Sequence, residues 1–161
     1  MAQHLLNESY VATYGQLLYG IDIIIYIKIF GSFVQVKKKE VVVLDTDKHQ
    51  CQGLCNLLSG YHFATVQMST WGDLEPYLHA SDCSAVILNL DNVSVTNRTL
   101  RDLKRKKPLT NIIALSERQF HPELAEAFRE YISVCLKKPL DSDELVYWLQ
   151  SIFENNWEPN G

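Results

Sequence analysis

A chain of 161 residues can bury one core and carry a short appendage, and 47% hydrophobic with 21% charged residues excludes both disorder and a multi-span membrane protein. The net charge of -4 and a pI near 5.7 exclude nucleic-acid binding driven by electrostatics alone. Four cysteines (Cys51, Cys55, Cys83, Cys135) lie in or beside apolar segments without disulfide-framework spacing, as expected of small core residues in a reducing cytoplasm. Cys51 and Cys55 are one helical turn apart, but no second Cys or His pair stands near them to complete a metal site.

Residues 1–39 stand apart from the rest. Leu17–Val36 is strongly apolar and Lys37-Lys38-Lys39 follows it at once. Three readings are open. A membrane anchor with a basic cytoplasmic flank fits the length, but Asp22 and Lys28 would be costly at mid-bilayer. The β-branched content suits an extra strand or a dimerising arm. The natural start could instead lie near Glu40. An ordinary signal peptide does not fit, because the positive charge follows the apolar run and no small-residue cleavage site is evident.

From Glu40 the chain alternates apolar runs with helical patterns, the signature of a parallel sheet with crossover helices. Strands are predicted at Glu40–Asp45, Phe63–Met68, Ser84–Asn89, Asn111–Leu115 and Ile132–Leu136, most of them continuously apolar as strands covered on both faces should be. Asp47 caps a first helix with Cys51, Leu54, Cys55, Leu57 and Leu58 on its buried face and Gly60 as its stop. A second helix near Trp71–His79 contains Pro76, which predicts an irregular stretch. The third, about Asn97–Lys106, turns Leu100 and Leu103 inward and a basic run outward. Pro122 opens a fourth, with Leu124, Ala125 and Phe128 on its buried side. Asp141 and Glu144 are spaced as a capping box for a fifth, carrying Leu145, Trp148, Leu149 and Phe153 at helical spacing. The expected architecture is a flavodoxin-like (βα)5 doubly wound parallel sheet, strand order 2-1-3-4-5, over residues 40–155, with a tail at 156–161.

In such a sheet the functional crevice lies beyond the carboxyl ends of the strands. Four polar side chains end four apolar runs there: Asp45, Asn89, Ser116 and Lys138, the last followed by Pro139. Any one of them could simply begin a loop. Together they resemble the receiver domain of two-component response regulators, over about Glu40 to Asn155.

The resemblance implies a set of roles. Asp45 would match one of the paired acids that hold Mg²⁺, Ser116 the hydroxyl that bonds a new phosphate, Lys138 the lysine that pairs with it, and Pro139 a cis proline. The departures carry more weight than the matches. Asn89 stands where the family has its phosphoacceptor aspartate, Thr46 where it has the second acid (Asp47 follows one position later), and Asn92-Val93 where it has Met-Pro. Cys135 replaces the aromatic of the fifth strand that moves with the hydroxyl in switching. A carboxamide is not a carboxylate nucleophile, so the expectation is a degenerate pseudo-receiver: no enzyme, with no cofactor required and Mg²⁺ weakly supported through Asp45 or Asp47. Without a charge at residue 89, Lys138 is expected to lean toward Asp45.

As an interaction module it would meet a sensor kinase, a phosphotransfer domain or a separately encoded output protein, or form a homodimer through the face of the fourth helix, fifth strand and fifth helix. Nucleic acid is not among the expected partners. Two rivals remain: a stand-alone regulator phosphorylated at Asp91 with Mg²⁺, and a regulator tethered to a membrane by Leu17–Val36. Spacing along a strand argues against Asp91, since it lies two residues' rise beyond Asn89, too far from Asp45 and Lys138.

Overall fold

Apolar runs with no polar face must be covered on both sides, and the chain does this with helices on either side of one parallel sheet. The computed structural model describes residues 39–155, so the arm or anchor at Leu17–Val36 and the tail 156–161 lie outside the described residues. The order is β1 (Glu40–Leu44), α1 (Lys48–Gly60), β2 (Ala64–Met68), α2 (Trp71–Ala80), β3 (Ala85–Asn89), α3 (Asn97–Lys106) and β4 (Asn111–Ser116). A 3-10 turn (Pro122–Leu124) then leads into α4 (Ala125–Glu130), β5 (Val134–Lys137) and α5 (Ser142–Asn155). All strand pairs are parallel in the order β2-β1-β3-β4-β5, the expected flavodoxin-like topology.

Alternation along the strands divides the core in two. Val41, Val43, Ala85, Ile87, Ile113 and Leu115 face α1 and α5, where Cys51, Cys55, Leu58, Leu145 and Leu149 meet them. Val42, Leu44, Val86, Leu88, Ile112 and Ala114 face the other way, onto Leu74 and Leu78 of α2, Leu100 and Leu103 of α3, and Ala127 of α4. The strand order reverses between β1 and β3, which places the crevice over their carboxyl ends.

Several local expectations are corrected. Pro76 sits inside an unbroken α2: the helix loses one backbone bond on its exposed face, while Leu74 and Leu78 stay fully buried and hold it down. Although α1 ends at Gly60, the left-handed turn that reverses the chain falls on His62, at φ 65°. In α4 it is Ala127 rather than Ala125 that is buried, because the helix is entered through a tighter 3-10 turn that rotates its face. The fifth strand begins at Val134, since the amide of Ile132 is still bonded to the Ala127 carbonyl at the end of α4. The basic run of α3 is only partly a solvated face. Lys104 bonds the carbonyls of Pro108 and Thr110 and so ties the end of α3 to the start of β4, while Arg101 pairs with Glu126 and Lys106 with Glu75.

Candidate functional site

The side chain of Asp45, immediately past β1, is buried and accepts three hydrogen bonds. Its Oδ1 accepts from the Asp47 amide (2.8 Å) and Asn92 Nδ2 (2.9 Å), and its Oδ2 accepts from Asn89 Nδ2 (2.7 Å). Asn89, the last residue of β3, is 2% exposed and points to the same face. Its Oδ1 accepts from Lys138 Nζ at 2.7 Å and from the Asp91 amide at 3.2 Å. These partners fix the orientation of the carboxamide. Turned over, it would present its oxygen to a carboxylate and its NH2 to an ammonium.

Lys138 therefore does not lean toward Asp45. The carboxamide stands between them, donating to the acid on one side and accepting from the lysine on the other. A carboxylate could not bridge them in that way, because it has no proton to donate. The second partner of Lys138 is Asp91, whose Oδ2 lies 2.8 Å from Nζ.

That contact corrects the spacing argument. Past Asn89 the chain does not continue as a strand: the amides of both Asn92 and Val93 turn back onto the Asn89 carbonyl. This turn folds Asp91 over the strand tops. There its Oδ1 accepts from Ser116 Oγ at 2.8 Å, and the Glu117 amide donates to both carboxylate oxygens, at 3.2 and 3.1 Å. Ser116 is fully buried and, with its hydroxyl donating to Asp91, accepts from the Arg118 amide and from His121 Nε2, each at 3.0 Å. His121 is itself buried and stacks on Phe128. Its other ring nitrogen faces the Glu123 carboxylate, which Arg118 also holds.

Asn92, Glu117, Arg118 and His121 all join this network without having been among the candidates read from the sequence. Proximity to Asn89 and to Ser116 was the one available hint. Pro139 follows Lys138 through a cis peptide bond. Cys135 is half-buried on β5, and burial, with the charge of Asp91 adding to it, pushes its thiol pKa up. Asp47 is the N-cap of α1, its carboxylate taken by the amides of His49 and Gln50 and by the Gln50 side chain.

A divalent cation does not fit these residues. It would need several free carboxylate lone pairs; three of the four on Asp45 accept hydrogen bonds from two carboxamides and a backbone amide, and residue 89 offers an amide in place of a second acid. Among the described residues no group of three or more His, Cys, Asp or Glu side chains is arranged to hold a metal. Beside the network a cleft of about 530 Å³ opens, with Asp45, Asn89, Glu117 and Lys138 on its polar side and Leu54 and Leu140 on its apolar side.

Burial works to raise the pKa of Asp91, but hydrogen bonds from Lys138, Ser116 and the Glu117 amide outweigh it and hold the carboxyl below the usual aspartate range. A carboxyl depressed on folding contributes stability that is complete above its unfolded pKa, about 3.9, and is lost as pH falls through the folded value. The native chain is therefore expected to lose stability relative to Asp91→Asn as pH falls through that window. Urea melts at stepped pH test this, and a gap that does not narrow would deny Asp91 its role as a bound anion.

No family model matches the sequence, and no curated protein matches it either. Solved structures do. The signal receiver domain of an HD domain-containing protein from Pseudomonas fluorescens Pf-5 matches with a TM-score of 0.66 at 22% identity, over 74% of this chain and 97% of that one. A two-component response regulator from Clostridium difficile gives 0.65 at 15% identity, over 73% and 98%. A CheY-like response regulator receiver domain from Methylobacillus flagellatus gives 0.58 at 20%, over 71% and 98%. The fold is that of receiver domains.

Proposed function

We propose that this chain is a phosphorylation-independent receiver-like module that transmits a signal by binding partners, not by carrying a phosphoryl group. The observation that carries the reading is the buried Asn89 carboxamide at the strand-end position, joining Asp45 to Lys138. It supplies no nucleophile, and it occupies the acid that would otherwise help to hold a metal. Similarity of fold to response regulator receivers supports a place in two-component-type signalling; a cytoplasmic location is part of the same proposal.

The partners on this reading are a sensor kinase, a phosphotransfer domain or a separate output protein, or a second copy across the α4–β5–α5 face. Tyr147 supports the use of that face. It is 64% exposed on α5, beside the half-buried Trp148, and aromatic residues are enriched in interfaces.

Phosphorylation at Asp91 is the second reading, and its closeness to Lys138 and Ser116 is what favours it. Intact-mass analysis after incubation with acetyl phosphate and Mg²⁺, with peptide mapping of any adduct, separates the two. The native chain is expected to stay unmodified. An adduct on Asp91 would overturn the phosphorylation-independent reading.

A further inference from the structure

Three donors of different kinds converge on one carboxylate: the Ser116 hydroxyl, the Glu117 amide and the Lys138 ammonium. Each comes from or just beyond the end of β4 or β5, and the carboxylate they hold comes from neither. A hydroxyl, a backbone N–H and an ammonium aimed at one point form an oxyanion cradle, since all three gain strength from a negative charge there. The cradle is built from behind as well. His121 and the Arg118 amide both bond the buried Ser116 oxygen and fix its proton toward the anion.

We propose that the Ser116–Glu117–Lys138 cradle is an oxyanion-binding site whose resident ligand is the chain's own Asp91 carboxylate. It is thereby closed to free oxyanions such as orthophosphate. The turn after Asn89 makes the ligand intramolecular, and a short tether gives an effective concentration on the order of millimolar or more. A weakly held external anion cannot displace it. This inference deepens the proposed function and rests on it in one respect: a domain whose anion is built in holds one arrangement of β4 and β5 without a phosphoryl donor.

The test uses the full chain and two readouts. In the first, the Glu117 amide proton is followed by NMR across acid pH in the native chain and in Asp91→Asn. Its shift is expected to titrate with Asp91 in the native chain, with the corresponding step missing from the variant. In the second, thermal melts and ³¹P line widths report orthophosphate binding against chloride at equal ionic strength. Asp91→Ala is expected to bind orthophosphate roughly tenfold or more tightly than the native chain, and Ser116→Ala placed on top of it should abolish the gain.

Equal binding by native chain and folded Asp91→Ala would overturn the proposal, as would no binding by either. Should Asp91→Ala not fold, the Glu117 titration in the native chain decides alone, and an amide that ignores Asp91 overturns it. The acetyl phosphate experiment run in parallel keeps the two ideas separate. An adduct on native Asp91 defeats the proposed function, whereas an unmodified chain with no orthophosphate response in Asp91→Ala defeats only the cradle.

Discussion

Lys138→Met is expected to cost about 2–4 kcal/mol of stability in urea denaturation. The lysine side chain is 17% exposed and the Asp91 side chain 19%, so most of the water that could screen either charge is already gone. Removing the ammonium leaves a carboxylate with only the Ser116 and Glu117 donors, and it strips the Asn89 oxygen of its shortest bond. Complete burial would raise the loss to about 3–5 kcal/mol; the residual exposure discounts it. The same change made on Asp91→Asn should cost less, because no uncompensated charge remains. A double-mutant cycle reads the difference directly. Strict additivity would mean that the pair is not coupled.

Asn89→Asp is expected to be destabilised by about 1–3 kcal/mol when no divalent cation is present, and to recover on adding Mg²⁺. The substitution exchanges the amide that donates to Asp45 across 2.7 Å for a second acid. Two carboxylates at that distance cannot both stay ionised without a cation between them. Lys138 already lies 2.7 Å from residue 89 and offsets part of the penalty. Melting temperatures with and without MgCl2, set against the native chain, test both halves. A native chain that responds to Mg²⁺ as strongly as the variant would refute the argument that amide donors fill the cation position.

Much of this architecture was legible in the sequence, for physical reasons. Val- and Ile-rich runs with no polar face had to be strands covered on both sides, and the Asp47 and Asp141 carboxylates had to cap helices because they stand just before the amides they accept from. The polar residues that end the strands were legible too, since a parallel sheet brings such ends together. What escaped depends on how the chain travels between elements. Asp91 was misplaced by extending strand geometry one turn too far, and the reversal at the Asn89 carbonyl has no glycine or proline to announce it. His121 was invisible because its position is set by the loop from Ser116 to Pro122, where five residues have no periodicity to read. Pro76 misled because propensity describes an isolated helix, and two buried leucines decide this one.

The carboxamide network also bears on how the domain comes together. Its bonds span sequence separations of 44 residues from Asp45 to Asn89, 49 from Asn89 to Lys138 and 25 from Asp91 to Ser116. Each closes a long loop, so the entropy of bringing those ends together must be met by the sheet before any of the bonds can form. No single βα unit contains even two of the three contacts. Native-state hydrogen exchange at the Glu117 amide therefore reports on the pairing of β3 with β4, whereas undocking of β5 alone is enough to release Lys138 from both its partners.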